Sequence, residues 1–197
     1  TVDHSTIAFN VSKDESGGGI SMSGSSSTAT LTNSTVSTNF TSVNGGGIFN
    51  SQGTLTLKNV TVTGNHADSD AAISAILNAA FGQVPDEIKA PIVDFVSSEA
   101  GLPNSNNQGD GGGIGNIGGI VKFENTILAG NEDDSASTIK PDVYCSDTSA
   151  FTSQNYNVVG SADGCGFAVG ANDEVGTNAA LKNADLTALQ LNGADFA

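Results

Sequence analysis

The 197-residue chain contains no arginine and no tryptophan, and only six lysines, two tyrosines, two cysteines, one methionine and four prolines. With six basic residues against 21 acidic ones the formal charge is −15. Nucleic-acid binding rests on Lys and Arg neutralising phosphates, so this balance excludes nucleic acid as a partner and disfavours anionic membranes. No run of about 18 apolar residues occurs, so no membrane-spanning helix is expected. The absence of Arg also removes the cationic group with which pectate-type lyases stabilise an enolate. Few aromatics remain to stack on sugar rings, which weakens the case for a carbohydrate-active site.

What is abundant is glycine, 25 residues, together with Ser, Thr and Asn in a recurring order. The stretch from Gly45 to Asn65 holds a Gly-Gly-Gly-Ile corner, a Thr54–Leu57 strand, Asn59, a Val60–Thr63 strand and a closing Gly64-Asn65. Upstream, Leu31, Asn33, Val36 and Asn39 stand where this unit has Leu57, Asn59, Val62 and Asn65; downstream stand Phe123, Asn125, Leu128 and Asn131. Weaker copies hold His4, Ile7 and Asn10 at the start and Asn155, Val159 and Ser161 near the end. Gly-Gly-Gly-Ile itself recurs at 17–20, 45–48 and 111–114. No Lys-Ser or Lys-Thr follows these glycines, so they are not phosphate loops.

A period of 20 to 50 residues marks a solenoid, and the 26 residues from Leu31 to Leu57 suit one circuit of two or three short strands. Leu55 and Leu57 alternate with Thr54, Thr56 and Lys58, a period of two that belongs to strands. The fold expected is therefore a right-handed parallel β-helix of about five coils, one domain over 1–197. His4, Asn33, Asn59, Asn125 and Asn155 are the expected inner ladder, each passing amide hydrogen bonds to the coil beside it.

Between Leu57 and Phe123 the repeat is lengthened by about 40 residues. An α-helical hairpin is expected there, over about 68–101 of an insertion spanning 67–109. Ala72, Ile73, Ile76, Leu77, Ala80 and Phe81 fall at helical spacing, and Pro85-Asp86-Glu87 opens a second helix that Pro91 kinks. Glu132, Asp133 and Asp134 form the densest acidic loop, a possible calcium site although it matches neither an EF-hand nor the nonapeptide calcium repeat. His66, beside Asp68 and Asp70, is the best general-base candidate, and a solvated loop histidine is the plainer reading. Cys145 and Cys165, 20 residues apart in a chain with no other cysteine, are expected to pair within a C-terminal coil and cap over 145–197. Such a bond would place the chain in an oxidising, extracytoplasmic setting. The start at Thr1, within the repeat pattern, suggests a processed piece of a longer precursor.

The segments Asn125–Asn131, Pro141–Cys145, Asn155–Gly160, Gly164-Cys165 and Leu186–Gly193 resemble the choice-of-anchor Q domain of bacterial surface and secreted proteins. The GGGI corners and Leu-x-Asn strands over 1–124 resemble the repeats of polymorphic outer-membrane proteins. These resemblances imply an extracellular or cell-surface, non-catalytic, structural or adhesin-like β-helix, a segment of a larger protein, and transfer no catalytic residues. The alternative is a polysaccharide-binding or polysaccharide-degrading β-helix, since this fold hosts such enzymes. A further expectation is self-association, because open solenoid ends can stack into filaments. No cofactor is required, with calcium the one possibility.

Overall fold

The computed structural model describes residues 1–12, 15–67, 110–133, 142–146 and 149–184. These fold as a right-handed parallel β-helix. The first coil comprises β1 (Val2–Asp3), β2 (Thr6–Ala8), β3 (Val11–Ser12) and β4 (Ile20–Ser23). The second comprises β5 (Thr28–Thr32), β6 (Thr35–Ser37), β7 (Phe40–Thr41) and β8 (Ile48–Ser51). The third holds β9 (Thr54–Lys58), β10 (Thr61–Thr63), β11 (His66–Ala67) and β12 (Ile114–Ile117). The fourth holds β13 (Ile120–Glu124), β14 (Ile127–Leu128), β15 (Glu132–Asp133) and β16 (Val143–Cys145). After these come β17 (Ala150–Ser153), β18 (Val158–Val159), β19 (Phe167–Ala168) and β20 (Glu174–Val175).

Equivalent strands stack into four parallel sheets among the described residues. Two have six strands, β1-β5-β9-β13-β17-β19 and β2-β6-β10-β14-β18-β20, and two have four, β3-β7-β11-β15 and β4-β8-β12-β16. A coil thus uses four short strands, not the two or three anticipated. The anticipated register holds, with Leu31, Leu57 and Phe123 directly above one another. Val36, Val62, Leu128, Val159 and Val175 form a second column, and Ile20, Ile48, Ile114 and Val143 a third. Each column fills the interior because alternate residues of a strand point inward, and Leu31, Leu57, Phe123, Val62 and Ile114 are almost wholly buried. Phe123 and Phe151 stack at 5.7 Å between ring centroids, extending the core toward Phe167.

Four corners per coil turn the chain through the left-handed region. The first is occupied by His4, Asn33, Asn59, Asn125 and Asn155, the second by Phe9, Thr38, Gly64 and Gly130. Gly17, Gly45 and Gly111 take the third; Gly24, Gln52 and Gly118 take the fourth. Asn and Gly are the residues that adopt positive φ at least cost, which is why the repeat is written in them. The three glycines of one corner have three different reasons. Gly45 has φ +69°, a Cβ on Gly46 would lie 2.4 Å from the His66 carbonyl carbon, and a Cβ on Gly47 would lie 3.0 Å from the Asn65 side chain.

The helical hairpin, and with it the insertion apart from Ala67, lies outside the described residues, as do Asp134 and the tail leucines Leu186, Leu189 and Leu191. Ala67 itself is in a strand and buried.

Candidate functional site

The side chains expected to form the inner ladder do recur at one corner, but on the outside. His4, Asn33, Asn59 and Asn125 are exposed and Asn155 is half-buried. The positive φ of these residues carries the side chain away from the core. They still link coils, with the Asn59 amide donating to Asn33 Oδ1 at 3.0 Å and the Asn33 amide donating to Asp3 Oδ1 at 3.1 Å. The expected inner position is therefore corrected to an outer turn.

The buried ladder is made by the second asparagine of each repeat. Asn10, Asn39 and Asn65 each donate both the backbone N–H and the side-chain amide to the Oδ1 of the next, Asn39, Asn65 and Asn131 respectively, at 2.9–3.2 Å. Asn131 makes the same pair of bonds to Asp142 Oδ1, at 3.2 and 2.9 Å. Asn39, Asn65, Asn131 and Asp142 are buried, and this pairing, with the Ile7, Val36 and Val62 carbonyls taking the amides' other N–H, satisfies polar groups so placed. Gly19, Gly47 and Gly113 leave the room that Asn39, Asn65 and Asn131 fill. Asp142, just before β16, stands where Gly113 stands just before β12, and its own carboxylate takes the next slot. Both asparagines recur in the sequence, and the third glycine of each GGG run, beside which the second asparagine packs, is the signal that marks the buried one.

Burial pushes the Asp142 carboxyl up to about 6, against the opposing pull of the Asn131 side-chain amide and of the Asn131 and Ser161 N–H groups. A pocket of about 300 Å³ opens beside it, lined by Gly130, Asn131, Asp142, Leu181, Lys182 and Asn183. That lining offers one carboxylate and one ammonium. Glycoside hydrolysis calls for two carboxylates across a shared cleft, and the pocket lining supplies only one. Lys182 also lies 3.4 Å from Glu174.

The remaining candidates are dispersed. His66 belongs to β11 rather than a loop, with its ring stacked on Phe40 at 4.7 Å and its Nδ1 3.5 Å from Glu132. That contact corrects the solvated reading, because the ring is packed into the third sheet. Glu132 is exposed and Asp133 buried, as alternation along β15 requires, so the two point to opposite sides. Among the described residues no group of three or more His, Cys, Asp or Glu is gathered as a metal site. The outward rows Thr30, Thr56, Lys122, Thr152 and Thr35, Thr61, Ile127, Val158 mix hydroxyl, charge and hydrocarbon. Cys145 and Cys165 form a disulfide with Cα atoms 5.6 Å apart, tying β16 to the turn before β19. Among the described residues no helix is long and apolar enough to cross a membrane. Comparison with family models, curated proteins and solved structures finds no match for this chain.

Proposed function

We propose that the chain is a non-catalytic extracellular β-helix, structural or adhesin-like, serving as a segment of a larger surface protein or of an extracellular assembly. The observation that carries this reading is the use made of the recurring polar side chains. The asparagines that repeat from coil to coil hold the coils in register through the Asn10-to-Asp142 ladder, and the outward rows alternate in chemistry rather than converging on one point. A net charge of −15 and one disulfide are in keeping with an exported protein in an oxidising setting. No cofactor is required in this reading; calcium enters only as an ion that screens the acidic exterior near Glu132.

The test is an array of polysaccharides and cell-surface preparations, each scored for retention of the chain and for new reducing ends or unsaturated products. Retention without turnover is expected. Product release would replace this reading with the polysaccharide-degrading one.

A further inference from the structure

The buried ladder has a direction. Between the ladder side chains the N–H and amide of each asparagine enter the Oδ1 of a residue later in the chain, Asn10 to Asn39, Asn39 to Asn65, Asn65 to Asn131 and Asn131 to Asp142. Along this column an asparagine inside the stack therefore accepts at Oδ1 from the asparagine before it and donates to the Oδ1 after it, while its amide also reaches a carbonyl of the preceding coil, Ile7 for Asn39, Val36 for Asn65 and Val62 for Asn131. A second column obeys the same rule, with Ser5 N–H donating to Ser34 Oγ, Thr126 N–H to Asn157 Oδ1, and both Asn157 donors to Asp173 Oδ1. A third has the Asn50 amide donating to Asn116 Oδ1.

The two ends of these columns differ in chemistry. At the late end the first two columns finish on Asp142 and Asp173, side chains that accept and, when ionised, have nothing to donate onward, and the third finishes on Asn116, whose amide goes to the Gly119 carbonyl. Asp142 replaces at one stroke the glycine that would make room for an asparagine and the asparagine itself. At the early end the first and third columns keep an open acceptor. Asn10 is exposed, and among the described residues no donor reaches its Oδ1. Asn50 Oδ1 is buried and among the described residues has no donor, because Met22 and not an asparagine stands beside it in the first coil. The same early face leaves Val2, Ile7, Ile20 and Met22 only partly covered and Phe9 and Val11 about half exposed, although Leu31, Val36, Phe40, Ile48 and Asn50, which stand below Val2, Ile7, Val11, Ile20 and Met22, are fully buried.

We infer that the face formed by β1 to β4 is a docking surface for a further parallel β-coil that presents an asparagine N–H and side-chain amide to Asn10 Oδ1. It continues the coil-to-coil interface already made three times below it between asparagines, with the same donors and the same acceptor. The occupant is a donor-bearing coil rather than the late end of a second copy. Asp142 and Asp173, on which the first two columns finish, carry no side-chain amide and when ionised do not supply that donor pair.

The inference is tested by placing a copy of residues 30–55 immediately ahead of Thr1, which sets the copied Asn39 26 residues before Asn10, the spacing of Asn39 and Asn65. Two versions are compared by amide hydrogen exchange, one with the copied Asn39 intact and one with it changed by N39D. One hydrogen bond, the side-chain amide's, and the approach of a carboxylate to Asn10 Oδ1 in its place separate them, so amides of the added coil are expected to exchange about tenfold more slowly in the asparagine version. Equal protection in the two versions, or no protection in either, would overturn the inference. Sedimentation of the unextended chain provides a second reading: a single small particle at every concentration is expected, and fibres built end to end would contradict the direction assigned to the columns.

Discussion

At the scale of single residues, two asparagines that look alike in sequence have opposite environments. Asn65 receives two donors from Asn39 and gives its amide to Asn131 Oδ1, to the Val36 carbonyl at 3.0 Å and to the Thr63 carbonyl at 3.2 Å. Asn65→Ala would leave several of these buried groups unpaired, and unfolding by denaturant is expected to show a loss of about 3 kcal/mol or more. Asn59→Ala gives up a positive φ of 53° and one exposed hydrogen bond, for a loss of about 1 kcal/mol, and Asn59→Gly should recover most of it. Asp142 makes stability depend on pH. Its folded-state value of about 6 lies above its ordinary 3.8, so the native chain holds the proton more tightly than the unfolded chain. Its contribution is fully present below about pH 4 and is lost as pH rises through about 6, a change of about 3 kcal/mol. Asp142→Asn should abolish that component of the pH dependence between 4 and 7. Asp3 works in the other sense: the Thr32 hydroxyl and His4 hold it at about 2, so its smaller contribution is present above 3.8 and lost toward pH 2. Burial works against ionisation of Asp173 but is outweighed by hydrogen bonds from Ser153, Asn157 and Gly170, and its contribution is likewise lost in acid.

At the scale of the element, the corner and the strand were legible to different degrees. The strand pattern was plain, because leucine and threonine alternate and the same columns recur at 26 residues. The corners were legible only as composition. That Asn33 turns outward and Asn39 inward depends on which side of a left-handed residue each lies: Asn33 is itself at positive φ, whereas Asn39 follows Thr38, which is. The sequence states neither angle. The GGG run, read simply as a corner, turns out to specify the ladder as well, because its third glycine is the space the asparagine fills. Gly47→Ala would set a methyl group 2.8 Å from the Gly113 carbonyl oxygen and 3.0 Å from Asn65, and thermal unfolding should show a loss of about 3 kcal/mol. Gly166→Ala, with nothing within 4 Å and no positive φ, should cost less than about 0.5 kcal/mol and serves as the control. Asp142 was missed because Pro141-Asp142-Val143 reads as an ordinary turn until it is aligned with Gly112-Gly113-Ile114, which precede the strand it joins.

At the scale of the whole molecule, among the described residues two sheets continue to β19 and β20 and the other two run as far as β15 and β16. The disulfide spans this step. Closing a 20-residue loop stabilises by about 3 kcal/mol in the loop-entropy view, so reductant, or Cys145→Ser with Cys165→Ser, should lower the unfolding midpoint without altering exchange in β5 and β9. Charge and composition indicated a class of partner to reject, nucleic acid, but gave no ligand, because a −15 exterior built from Thr, Ser and Asn has no single focus for chemistry. The claim on which the fold, the ladder and its direction all rest is that the second asparagine of each repeat is sealed inside the stack. Side-chain amide hydrogen exchange followed by NMR reads this directly. The amides of Asn39, Asn65 and Asn131 should exchange orders of magnitude more slowly than those of Asn33 and Asn59; equal rates, or the reverse order, would contradict it.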